Sequence, residues 1–151
     1  MKKLFKILGF GLLSVVIFFV AIAAISMIGS VDKKEVLVPY IESAIPRLTT
    51  WNMSEYKALM TKQGLKGATP EQWELYLKMF SKLGTLESVG VPELQNWRTM
   101  SGIPNGKITY AVYLIPLVFD TGPAHVELGL QHNKNKTEIN SVRFLSDLLI
   151  Q

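Results

Sequence analysis

A run of about 22 residues without a single charge, Ile7 to Ile28, sets the first apolar pattern of the chain. Lys2, Lys3 and Lys6 precede it, and Asp32, Lys33, Lys34 and Glu35 follow it. As a helix rising about 1.5 Å per residue, the run reaches roughly 33 Å, enough for a bilayer core of about 30 Å. The pattern therefore predicts a membrane anchor over residues 1–30. A cleaved secretory signal is the competing reading: the basic start fits, and Ala21-Ile22-Ala23 offers small residues for cleavage near Ala23. Yet the apolar run continues through Ala24, Ile25, Ser26, Met27 and Ile28, which is long for a signal and right for a span. The lysine bias places the N-terminus inside and the following domain outside, periplasmic or extracellular if the cell is bacterial.

Beyond residue 30 the apolar spacing becomes helical. Tyr40, Ile41, Ala44, Ile45 and Leu48 recur at three and four, which predicts a helix over 36–50. Pro39 suits its first turn, and Pro46 should kink it. Asn52 with Glu55 three residues on has the form of a capping box for a helix burying Met53, Tyr56, Leu59 and Met60 and ending at Gly64 or Gly67. Thr69-Pro70-Glu71-Gln72 is a fuller N-terminal signature, and Trp73, Tyr76, Leu77, Phe80 and Leu83 follow at helical spacing up to Gly84. That aromatic stripe reads as core.

After Gly84 the period falls to two. Leu86–Val91 predicts a short strand, and Pro92–Gly106 an irregular connection that contains Trp97 and the Asn105-Gly106 turn signal. Lys107–Asp120 predicts a long strand, apolar on both faces as if covered on both, with a bulge or bend at Pro116. Pro123–Gln131 alternates, with Ala124, Val126, Leu128 and Leu130 inward and His125, Glu127, Gly129 and Gln131 outward. A last strand over Thr137–Leu145 follows the turn at Asn133–Lys136. Helices at about 36–83 and strands at about 86–145 give residues 31–151 an α+β class, helices packed on one face of a curved antiparallel sheet.

Charge adds little to this picture. The 151 residues carry a formal charge of +4, and the three lysines of the first six residues supply most of it. Setting those aside leaves 13 basic against 12 acidic residues, so no case for nucleic-acid binding arises. The chain has no cysteine, which excludes a disulfide and a lipid-bearing N-terminal cysteine.

Trp51-Asn52-Met53-Ser54-Glu55-Tyr56, Phe80-Ser81-Lys82-Leu83-Gly84-Thr85-Leu86 and the run from Phe119-Asp120-Thr121-Gly122 to Leu130 resemble small bacterial envelope domains of unknown function. The resemblance covers roughly residues 36–145. It implies an NTF2-like or cystatin-like fold, a group that hosts enzymes, ligand binders and interaction modules, so fold alone leaves function open.

No nucleophile elbow, phosphate loop or metal-ligand spacing occurs, and neither a catalytic residue nor a cofactor or metal is expected. His125 and Glu127 lie two apart on one strand face, a spacing that permits an acid–base pair, but a solvated polar face next to a loop is the reading preferred. His132 reads as a surface turn residue. Arg143 is either an anion anchor or an edge-strand charge that discourages aggregation. Trp97 is the aromatic candidate for a protein contact. Three functions follow in order. The first is a non-catalytic accessory module held in the bilayer by residues 7–28 and docking a protein partner in the same membrane. The second is a small-ligand binder or weak enzyme using a pocket between sheet and helices. The third is a secreted inhibitor or immunity-type protein.

Overall fold

The structure, a computed structural model, describes residues 33–103, 106–134 and 136–150. The anchor expected over Ile7–Ile28 lies outside them, as do Pro104, Asn105 and Asn135 of the two expected turns. Among the described residues no helix is long and apolar enough to cross a membrane.

A π-helical turn, Lys33–Leu37, leads into α1 (Val38–Leu48). The predicted apolar face of α1 is fully buried at Ile41, Ala44, Ile45 and Leu48. Pro39 occupies the first turn, and Pro46 falls within the last one, where its missing N–H removes a single i→i−4 bond of the helix. Asn52 caps α2 (Met53–Leu59) by accepting from the Ser54 N–H at 3.1 Å. Glu55 does not complete a box; its carboxylate pairs with Arg47 on α1. Tyr56, buried in the core, donates to the Leu48 carbonyl at 3.0 Å and so closes the C-terminal end of α1.

The helix expected to run on to Gly64 stops at Leu59. Met60 turns extended and bridges Ile139 of the last strand. Thr61 then caps a separate turn, α3 (Lys62–Leu65), by accepting from the Gly64 N–H, while its hydroxyl also reaches the Asn140 side chain. Gly64 is required there, because a Cβ would sit 2.5 Å from the Asn140 carbonyl oxygen. The capping box of α4 (Pro70–Phe80) forms with both its bonds, Thr69 Oγ1 to the Gln72 N–H and Gln72 Oε1 to the Thr69 N–H.

Five antiparallel strands complete the α+β fold: β1 (Leu86–Val89), β2 (Glu93–Ile103), β3 (Gly106–Phe119), β4 (Gly122–Asn133) and β5 (Lys136–Leu145). β3 pairs with β4 in unbroken register from Ile108 to Phe119, and β4 with β5 through one bulge. On its other edge β3 carries two partners end to end, β2 over Gly106–Leu114 and the short β1 over Leu117–Phe119. The stretch expected to be an irregular connection is therefore mostly β2. Its sequence lacks alternation because, among its described side chains, nearly all are exposed and no buried face imposes a period.

Pro116 sits at the gap between those two partners. Its carbonyl accepts from the Gly90 N–H at 2.7 Å, so its main chain points toward the β1–β2 side. The missing N–H therefore faces the break in the ladder, and the β3–β4 register continues through Pro116 and His125 undisturbed. The irregularity expected in β3 is displaced onto its neighbours.

The core lies between the helices and the inner face of the sheet, where Ile115, Leu117, Val126, Leu128 and Ile139 meet α1 residues of the same cluster. The inward set Ala124, Val126, Leu128 and Leu130 is buried as predicted. The second face of β3 departs from expectation: Tyr110, Val112, Leu114 and Pro116 are only half-buried and Val118 is exposed. Among the described residues β3 is covered on one face, not two.

The junction between helices and sheet is a cluster of main-chain bonds around Gly84. Asp120 accepts from the Thr85 N–H through Oδ1 at 3.0 Å and donates its own N–H to the Thr85 carbonyl. Thr121 Oγ1 donates to the Leu83 carbonyl, and Trp51 Nε1 to the Gly84 carbonyl. Gly84 has φ +84°, and a Cβ there would lie 2.1 Å from Asp120 Oδ1. Gly84→Ala combines backbone strain with a clash, so we expect a loss of about 2 kcal/mol, read as a lower urea midpoint at unchanged slope.

Candidate binding surfaces

The four residues marked by sequence fall on two separate surfaces. Glu127 and Arg143 are ladder partners on β4 and β5, and both project from the outer face. Arg143 Nη2 donates to Glu127 Oε2 at 3.1 Å, with side chains 64% and 34% exposed. At that exposure the pair contributes less than about 1 kcal/mol. His125 is exposed, two residues away on the same face, and makes no bond to Glu127 among those described. The carboxylate that an acid–base pair would need is instead held by Arg143. The arrangement is that of a charged outer face beside an edge strand.

Trp97 lies across the sheet on β2, in ladder register with Ala111, and is 42% exposed. Leu94 and Met100 on the same strand are similarly exposed. Because Pro116 directs the main chain of the even-numbered β3 residues toward β2, the pairs Val112–Asn96 and Tyr110–Arg98 exchange ladder bonds, and the main chain of Trp97 and Thr99 faces the open edge. The Trp97 N–H is met there by the side chain of its neighbour, Asn96 Oδ1, at 2.8 Å. On the outer face the Arg98 guanidinium stacks 5.2 Å from the Tyr110 ring centre and helps to fix β2 on β3.

His132 is not the surface residue its position suggested. It is 8% exposed, and Nδ1 lies 2.7 Å from Thr137 Oγ1 across the β4–β5 hairpin. Its place on the inner-face phase of β4, in step with Leu128 and Leu130, is the signal that would have revealed this.

Sequence reasoning also missed a cavity of about 840 Å³ within the helical layer. The α1–α2 loop supplies Trp51, α2 supplies Met53 and Lys57, α3 and the loop after it supply Leu65 and Lys66, and α4 supplies Trp73 and Leu77. No sheet residue lines it. Trp73 and Leu77 were read as core, which they are; the half-buried Met53 and Leu65 leave the cavity open beside them. Trp51 adopts φ +60°, a conformation uncommon for any residue but glycine, and its ring is held by Phe119 at 6.0 Å and Phe144 at 5.2 Å. A cavity between α4 and β5, of about 510 Å³, includes Arg143, and another of about 570 Å³ near the C-terminal end includes His125.

Among the described residues no three His, Asp or Glu side chains gather where one ion could join them. No family model, curated protein or solved structure matches the chain.

Burial holds the His132 imidazole below its ordinary value of 6.5. A folded value lower than the unfolded one favours the neutral ring, so its stability contribution is complete above about pH 6.5 and is lost as pH falls through the folded value. Urea unfolding of the full-length protein at pH 7.5 and pH 5 checks this: the wild type should lose more stability between the two than His132→Gln does.

Proposed function

We propose that the protein is a membrane-tethered, non-catalytic accessory module that docks a protein partner through β2. In this reading residues 7–28 cross the bilayer and residues 31–151 stand outside it, in an NTF2-like or cystatin-like arrangement of helices followed by an antiparallel meander. The observation that carries the proposal is β2 itself. It has 11 residues, it pairs only with β3 among the described strands, and it presents Leu94, Trp97 and Met100 to solvent.

A long strand with an open edge invites pairing with another chain, and natural proteins usually block such edges with lysine, proline or a covering element. β2 contains neither lysine nor proline. At that edge the Trp97 N–H donates to its neighbour Asn96 Oδ1. Strand addition would replace that short-range bond with a ladder, and the exposed aromatic and aliphatic side chains would supply the apolar contacts that dominate protein interfaces.

The test is extraction of tagged full-length protein in mild detergent, with mass spectrometry of whatever co-elutes near stoichiometric amount. Trp97→Ala should lower recovery of that partner at least tenfold while leaving the melting temperature within a few degrees. Undiminished recovery from a folded Trp97→Ala variant removes β2 as the contact.

A further inference from the structure

We infer that the cavity of the helical layer is a binding site for a single-chain amphiphile with an anionic head group. The inference is independent of the docking role of β2, since the two share no residue. Its volume of about 840 Å³ falls within the range of small-molecule sites, roughly 300–1,000 Å³.

The chemistry of the lining selects the ligand. The floor is Trp51, Met53, Leu65, Trp73 and Leu77. Its polar atoms are the two indole N–H groups, and both are already committed: Trp51 Nε1 donates to the Gly84 carbonyl at 3.2 Å and Trp73 Nε1 to the Leu65 carbonyl at 2.8 Å. Those five side chains have no free donor to offer; Thr50 and Asn52, the other uncharged polar side chains of the lining, are exposed, so over the apolar part a ligand body carrying hydroxyls or amides would lose its water without replacement. A hydrocarbon body suffers no such loss and gains from leaving water.

Charge is confined to the rim. Lys57 and Lys66 are exposed and make no ion pair among those described, and Glu74 is the one acidic residue of the lining. The rim therefore carries a net positive charge above an apolar floor. An acyl chain with a carboxylate matches both parts: the chain fills the floor, and the carboxylate meets the lysine ammonium groups in partly wet surroundings. Trp51 gives the mouth a rigid wall, because its ring is fixed on three others at 5.2–6.4 Å despite a strained backbone.

The ring positions provide the readout. Two of the three tryptophans line the cavity, and Trp97 does not. The full-length protein in neutral maltoside micelles is titrated with 9,10-dibromostearate, whose bromines quench tryptophan on contact, in a Trp97→Phe background. Saturable quenching is expected, with affinity about tenfold weaker in Lys57→Ala/Lys66→Ala and about tenfold weaker for the brominated alcohol of equal length. The paired lysine substitutions are on exposed side chains and leave the core intact, and circular dichroism verifies this. Quenching that rises linearly with added probe overturns the site. Saturable quenching equal for acid and alcohol, or unchanged by the lysine substitutions, overturns the assignment of an anionic head. A further variant, Ala68→Phe, fills the cavity wall and should abolish saturation; if saturation persists in a folded Ala68→Phe protein, the probe binds elsewhere and the inference fails.

Discussion

The pairing of β3 constrains everything else in this domain. One 14-residue strand holds β4 along its whole length on one side and divides the other side between β1 and β2. Its inner face supplies Ala111, Tyr113, Ile115, Leu117 and Phe119 to the core. Its outer face must still be apolar enough to remain a strand without helical cover, which accounts for Val112, Leu114 and Val118 at half-buried or exposed positions. Pro116 fits because its absent N–H falls at the gap between β1 and β2, where Gly90 donates to its carbonyl but no strand pair is formed.

The helical layer depends on that strand through its C-terminal end. Phe119 stacks on Trp51, and Asp120 and Thr121 hold the main chain of Thr85 and Leu83. This knot ties the α1–α2 loop, the end of α4 and the β3–β4 turn together. It explains how Trp51 persists at a positive φ: one indole bond and three ring contacts over-determine its position. The same fixed ring forms one wall of the helical-layer cavity.

Much of this was legible in the sequence where local chemistry and burial agree. The Thr69 capping box, the inward set of β4 and the turn at Gly84 each combine a local signal with a buried face, and each stands where the pattern placed it. The illegible parts are those where tertiary contact overrides the local signal. The break at Met60 depends on Ile139, 79 positions away, and nothing near Met60 announces it. β2 was hidden for the opposite reason: with no face buried, its side chains carry no period. For the candidate residues, the spacing of His125 and Glu127 gave their shared face correctly but could not show that Arg143 holds the carboxylate. The cavity escaped notice because Trp73 and Leu77 look the same in sequence whether they fill a core or floor an opening.

The division of one edge of β3 between two strands also sets a hierarchy of local stability. β1 lies close to the helical knot and opens only with it, whereas β2 is joined to the rest mainly by its ladder with β3 and by Arg98 over Tyr110. Free energy of opening follows buried contact, and β2 has almost no buried side chain among its described residues. No described residue of β2 belongs to the buried core. An exchange of partners along β2 would therefore leave the residues of the core in place.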